Sequence, residues 1–229
     1  MELHGRSFEI DNLQLVKQDG ISREMCVKFD CTPASDNGCQ LDPGTIYKLG
    51  MQYEHLNGQL LAAYEDNSND AATYVMYNDT DVIGYYTIQM SSTKVAKGYR
   101  KEHNLVGNST NTGFSCVDVP FVAVNRKYQN KKYGRVLFLQ LLLNVYWQLV
   151  PLVGATLITL DALHPAIGFY TKFGFIKYSP TQESKILTPL ALDTKQLAKQ
   201  LNINSDSESE DDAKLRKMLE DSLLFDIEG

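Results

Sequence analysis

The sequence predicts an α/β domain built on one central sheet, and three observations predict it. Short β-branched and aromatic runs alternate with longer segments whose apolar residues recur every three or four positions. The run Val117–Val124, VDVPFVAV, is almost wholly apolar, as a strand in the middle of a covered sheet must be. Apolar residues make up 43% of the 229 and charged residues 22%, the usage of a globular domain with a core of ordinary size.

The elements follow in order. Ser7–Ile10, Leu13–Lys17 and Met25–Phe29 are β-prone, with a turn at Asp19-Gly20 between the last two. After the turn-rich loop CTPASDNGCQLDPG, Ile46–Tyr64 carries apolar residues at helical spacing (Leu49, Tyr53, Leu56, Leu60, Tyr64), interrupted by Gly50 and Gly58. Thr73–Tyr77 and Val82–Met90 read as strands joined by a turn at Asn78-Asp79. Ser91–Cys116 shows no period and reads as a long functional or mobile loop. Beyond Val117–Val124 comes the polar, basic stretch Asn125–Lys132, then a helix, Gly134–Leu149, with Gln140, Asn144 and Gln148 recurring every four. Ala155–Leu160 is a buried strand, Pro165–Phe173 a short helix ended by Gly174, and Phe175–Tyr178 a further strand. Lys185–Leu192 completes the sheet, and Asp193 or Thr194 caps a closing helix, Lys195–Leu201. One domain is therefore expected over residues 1–204. SDSESEDD at 205–212 is too charged to pack and reads as a disordered linker, and 213–229 as a short amphipathic tail.

The net charge of −6 belongs to the tail. Nine acidic and three basic residues fall after Asn204, which leaves 19 of each sign before it. A neutral body supplies no general attraction for nucleic acid, whose binding is dominated by phosphate neutralisation. The acidic tail suits a basic partner or a solvating terminus. Cys26, Cys31, Cys39 and Cys116 are too few and too irregular for a disulfide scaffold, and no histidine stands near them at metal-site spacing; reduced thiols and no metal are expected. The start, MELHGRSFEI, has no signal-peptide pattern, and the apolar run Val136–Val153 is broken by polar residues and Pro151. The expectation is a cytoplasmic protein that does not span a membrane.

Two features carry chemistry. Arg126, Lys127, Lys131, Lys132 and Arg135 cluster where a central strand ends and a helix begins near Gly134. Backbone N–H groups at a helix start attract phosphate, and cationic side chains add to that attraction; a solvated basic loop is the plainer reading. Further on, HPAIGFYTKFGF sets Tyr170 between Phe169 and Phe173, as a packing aromatic or as a proton donor.

Together these features resemble the GNAT superfamily of acyl-CoA-dependent N-acyltransferases, over about residues 25–190. The family pyrophosphate loop is Q/R-x-x-G-x-G/A; Gln129-Asn130-Lys131-Lys132-Tyr133-Gly134 matches it at Gln129 and Gly134, with Lys132 in place of the first glycine. Phe121-Val122-Ala123-Val124 resembles the family strand end that bonds the pantetheine arm. Ala166, Phe169, Tyr170, Gly174 and Phe175 fit the closing signature, and Leu163 stands where many members have asparagine. The resemblance implies a mixed, mostly antiparallel sheet of six to seven strands with helices on both faces. It implies acetyl-CoA held by Val122, Ala123, Val124 and by the loop from Gln129 through Asn130, Lys131, Lys132, Tyr133 and Gly134 to Arg135. It implies direct attack by an amine, with Tyr170 protonating the departing thiolate. For the base, Asp118 stands where several members carry a carboxylate; His164 and a water chain stay open. Phe29-Asp30-Cys31, Thr73-Tyr74-Val75, Gly84-Tyr85-Tyr86-Thr87 and Val119-Pro120 are similar to the branch of toxin acetyltransferases that act on charged tRNA. The acceptor amine is left open between a small molecule, a protein and aminoacyl-tRNA, a homodimer is compatible with the resemblance, and a non-catalytic acyl-CoA-binding module is the alternative.

Overall fold

The computed structural model describes residues 20–33, 42–66, 68, 70–105, 113–179, 184 and 186–203, with backbone alone at 2–3, 6–7, 13–15 and 200–203. The expected linker at 205–212 and tail at 213–229 lie outside the described residues, as does most of the expected strand Ser7–Ile10. β1 (Glu2–Leu3) and β2 (Arg6–Ser7) form a separate two-stranded ribbon. β3 (Leu13–Leu15) is the edge of the main sheet.

The segment expected as a strand at Met25–Phe29 is instead a short helix, α1 (Arg23–Val27). Ser22 caps it, its Oγ accepting from Met25 N–H at 3.2 Å, and Glu24 pairs with Lys28 one turn on. These local bonds outweigh the β propensity of a five-residue run. α2 (Pro43–Glu65) begins a turn earlier than expected, because Asp42 accepts from Thr45 N–H and Pro43 occupies the first turn, where its missing N–H costs nothing. β4 (Ala72–Tyr77) and β5 (Val82–Thr93) form the expected hairpin. The stretch expected as a loop at Ser91–Cys116 contains the end of β5, a short helix α3 (Lys97–Glu102) and the start of β6 (Phe114–Val124).

A 3₁₀ turn at Arg126–Tyr128 leads to α4 (Tyr133–Asn144). The helix does not stop before Pro151. A π turn, Val145–Leu149, precedes α5 (Val150–Val153), so the widened turn comes just before the residue that cannot donate to a regular ladder. This continuous stretch, Tyr133–Val153, is long and apolar enough to cross a membrane, but Val136, Leu137, Phe138 and Leu141–Leu143 are buried in the core. The recurring Gln140 and Asn144 do not form a wet stripe. Both are buried, and Asn144 Nδ2 donates to Tyr86 Oη at 3.1 Å, while Trp147 is 57% exposed. β7 (Leu157–Leu163), a 3₁₀ turn at His164–Ala166, α6 (Ile167–Thr171), β8 (Ile176–Lys177), β9 (Leu187–Asp193) and α7 (Thr194–Ile203) complete the fold.

Among the described residues the sheet has seven strands, in the order β3-β4-β5-β6-β7-β9-β8. Every neighbouring pair is antiparallel except β6–β7, which is parallel. β6 is thus the middle strand, as its apolar sequence predicts. One face packs under α4, α6 and α7 (Tyr86, Val117, Val119, Phe138, Leu160, Leu197). The other lies under α1 and α2 (Phe29, Leu60, Val75, Tyr85, Ala123), with a smaller cluster around Tyr99 and Tyr178. Gly84 lets α4 approach the sheet: a Cβ there would stand 2.8 Å from Ala123 O and 3.0 Å from Leu137 Cδ2.

Candidate active site

The parallel pair β6–β7 is short. Its register covers only Cys116–Asp118 against Leu157–Thr159, after which the two strands part. The break coincides with a bulge: Thr87 faces Phe121 and Gln89 faces Asp118, so Val119 and Pro120 together oppose Ile88 alone. Pro120 has no N–H to leave unpaired there. Beyond the break lies a cleft of about 440 Å³, lined by β6 from Asp118 to Val124, by Leu160, Asp161 and Leu163 of β7, by Tyr53 and His55 of α2, and by Tyr170.

The hydrogen-bond phase of β6 fixes what its backbone offers the cleft. Asn125 N–H donates to the carbonyl of Ile83, its directly opposite residue, at 2.8 Å. Antiparallel pairs alternate, so Ala123 and Phe121 also turn their backbone groups towards β5. Val122 and Val124 then direct theirs away from β5, across the gap. Val124 O accordingly accepts from the Gln129 side chain at 3.0 Å.

The loop beyond β6 is held by short bonds. Gln129 Nε2 also donates to Cys31 O at 2.8 Å, and Arg126 N–H donates to Asp30 O at 2.6 Å. Asp30 and Cys31 are in turn fastened to α2 through Asn57. Asn130 and Lys132 both have left-handed backbones, with φ of 59° and 68°. Lys132 thus adopts the geometry for which the family pattern uses glycine, at a cost of about 1 kcal/mol. As N-cap of α4, Lys132 makes no side-chain capping bond. A Cβ on Gly134 would meet only Val124 Cγ2, at 3.5 Å, so the protein leaves room in front of the first turn. The five cations are not all available. Lys127 pairs with Asp81 at 2.8 Å, which holds the Asp81 carboxyl below the usual range, and Lys131 Nζ donates to Lys127 O. The Lys132 side chain makes no hydrogen bond or ion pair among the described residues. A turn of backbone amides, an uncapped helix start and a loose lysine fit a phosphate group.

Tyr170 projects from α6 into an aromatic cluster around Phe138, whose ring centroid lies 5.1 Å from that of Tyr170, 5.6 Å from Phe169 and 4.9 Å from Phe173. Such edge-to-face pairs contribute about 0.5–1.5 kcal/mol each beyond area burial and fix the ring's direction. Gly174, at φ 84°, ends the turn and lets Phe175 N–H return to Tyr170 O. Tyr170 Oη makes no hydrogen bond among the described residues, and burial pushes the phenol well above its ordinary value.

Asp118 sits where the strands part, with both oxygens engaged: Thr159 Oγ1 donates to Oδ1 at 2.8 Å and Gln89 Nε2 to Oδ2 at 3.1 Å. Asp161, two residues beyond Thr159, is on the same face and at the cleft mouth. Burial of its surroundings, and then the Asp118 charge, raise its carboxyl above the usual range. The sequence reading passed over Asp161, although a lone charge in LITLDAL was a signal. It also missed Tyr53 and His55, whose place depends on how α2 crosses the sheet. His164 does not line the cleft. A larger cavity of about 570 Å³ lies under the C-terminal half of α2 and shares Phe121 with the cleft, but contains neither Tyr170 nor the basic loop. No metal-binding group of His, Cys, Asp or Glu occurs among the described residues.

A mixed seven-stranded sheet, opened at its one parallel pair beside a phosphate-fitting loop, defines an acyltransferase-type α/β domain. The chain belongs to the acetyltransferase (GNAT) family, which it matches over residues 45–175, and is an N-acetyltransferase. No curated protein matches it. Among solved structures it is similar to a bacterial toxin, with 19% identity and a TM-score of 0.62 over 83% of this chain and 94% of that one. It is also similar to AtaT complexed with acetyl-methionyl-tRNAfMet (18%, TM-score 0.54, 82% and 96% covered). A mutant AtaT bound to acetyl-CoA and the C-terminus of the antitoxin AtaR is another neighbour (19%, 0.53, 83% and 97%). Identities this low establish a shared fold.

Proposed function

We propose that the protein binds acetyl-CoA in the gap between β6 and β7 and transfers the acetyl group directly to a primary amine. The observation that carries this reading is the coincidence of three things at one gap: the outward-turned backbone of Val122 and Val124, the unbonded hydroxyl of Tyr170, and the turn from Gln129 to Gly134. In this reading the amides from Lys132 to Gly134 face the diphosphate, with Lys132 and Arg135 adding charge. Val122 and Val124 hold the pantetheine arm, and one of their N–H groups polarises the thioester carbonyl. Ala123, between them, turns its backbone to β5 and lines the same cleft. Gln129 acts as a clamp on the loop through its two carbonyl contacts. Tyr170 stays protonated at neutral pH because its surroundings disfavour the phenolate, and donates its proton to the sulfur as the C–S bond breaks. The buried, unpaired Cys26, Cys31 and Cys116 fit a reducing, cytoplasmic setting.

The test is titration calorimetry with acetyl-CoA together with thiol release over an amine panel. Tyr170→Phe should bind acetyl-CoA as the parent does while turnover falls by about 10²-fold or more. Unchanged turnover removes Tyr170 from the mechanism, and failure of the parent to bind acetyl-CoA removes the reading. Binding with no thiol release over the whole panel would favour an acyl-CoA-binding module. The likeness to AtaT supports a second acceptor, aminoacyl-tRNA; growth arrest on expression, relieved by Tyr170→Phe, would favour it.

A further inference from the structure

We propose that Asp161, and not Asp118, takes the proton from the attacking amine; this inference rests on the acetyl-transfer reading above. The geometry separates the two carboxylates. Asp118 lies at the last paired position of β6 and β7, with one oxygen accepting from Thr159 and the other from Gln89. It is immobilised, and its best lone pairs point at protein donors. Asp161 is among the first residues of β7 beyond the last pairing with β6, lines the cleft, and its carboxylate makes no hydrogen bond or ion pair among the described residues. Its side chain is exposed, so an incoming amine can reach it. Its face of the sheet is the α2 face, opposite the aromatic cluster that carries Tyr170. Acid and base therefore approach the gap from opposite faces, as a direct transfer requires: one proton leaves the nucleophile while another is delivered to the sulfur.

The balance is simple. The Asp161 carboxylate takes one proton from the bound ammonium group, the neutral nitrogen so formed bonds to the thioester carbon, and the C–S bond breaks. The thiolate takes the Tyr170 proton, the second nitrogen proton returns through solvent to the Tyr170 oxygen, and Asp161 releases its proton to solvent. Asp118 on β6 acts on Asp161, Tyr178 beyond β8 feels the Asp161 charge, and Tyr53 and His55 on α2 line the same cleft. None of these is a lysine or arginine, and Asp118 is the charge that acts on Asp161. Asp118 is thus a positioning residue: its charge, held in place by Gln89 and Thr159, makes Asp161 a stronger base.

The experiment compares thiol release from acetyl-CoA with ethanolamine and glycinamide, which must lose a proton, and with hydroxylamine, which is already neutral near pH 7. Asp161→Asn should slow the primary amines by about 10²-fold or more while slowing hydroxylamine less than about 10-fold. Asp118→Asn should lose less rate than Asp161→Asn and move the acidic limb of kcat/KM to lower pH, because Asp161 loses its negative neighbour. Calorimetric binding of acetyl-CoA by each variant shows that the site is intact. Equal losses for both amine classes in Asp161→Asn, or an unmoved acidic limb in Asp118→Asn, overturn the inference while the enzyme reading stands. A parent protein that binds acetyl-CoA but releases no thiol with any of the three, nor with aminoacyl-tRNA, overturns both.

Discussion

Two glycines flank the strand end that faces the cleft, and adding one methyl group to each should have opposite effects. At Gly84 on β5, the new Cβ would lie 2.8 Å from the Ala123 carbonyl oxygen, 3.0 Å from Leu137 Cδ2 and 3.4 Å from Val124 Cγ2. The first contact is backbone in the middle strand, and the second belongs to a leucine that is 1% exposed, so neither yields cheaply. Overpacking of this kind costs about 1–3 kcal/mol, which for a domain of this size corresponds to a Tm lower by about 3–10 °C. At Gly134 the added Cβ would meet one methyl group, at 3.5 Å, at the second position of a helix. Alanine there should stabilise by a few tenths to about 1 kcal/mol. Guanidinium denaturation of both variants, read as midpoint at constant slope, checks the difference. Gly84→Ala should also weaken acetyl-CoA binding several-fold, because displacing Ala123 displaces the neighbouring Val122 and Val124. The packing argument is refuted if Gly84→Ala is as stable as the parent, or if Gly134→Ala is the less stable of the two.

Asp161 has a raised carboxyl in the folded state, so the folded protein holds that proton more tightly. The associated stability is present below the ordinary carboxylate range and lost as pH rises through the raised value. Asp161→Asn should therefore raise Tm at pH 7, with the gain shrinking towards pH 3; a constant gain would point to packing instead. Lys132→Gly relieves a left-handed lysine and should stabilise by about 0.5–1 kcal/mol, while removing the side-chain charge raises the Kd for acetyl-CoA. A less stable variant would show that the lysine side chain holds the turn. Burial pushes the Cys26 thiol up to about 11 and Cys31 up to about 12, so native protein at pH 8 should resist alkylation at both positions and lose that resistance in denaturant. Rapid native labelling of Cys31 would contradict the packing of α2 over it.

The family, the central strand and the two ends of the site were readable along the chain because their signals are local. VDVPFVAV announces a covered strand by composition alone. The run from Gln129 to Gly134 and the aromatic run around Tyr170 announce a loop and a turn by spacing. Where a neighbour decides the outcome, the reading failed. Met25–Phe29 has the residues of a strand but folds as a helix under the Ser22 cap.

The sequence by itself determined which residues supply the strand, the loop and the phenol, since hydrophobic period and turn chemistry act between residues a few positions apart. Only the tertiary structure decided which carboxylate is free to act. Asp118 and Asp161 look alike in the sequence; what separates them is that Gln89, 29 positions before Asp118, and Thr159, 41 after it, converge on one and leave the other bare. Hydrogen-bond partners that distant are set by strand order and register, which no local pattern encodes.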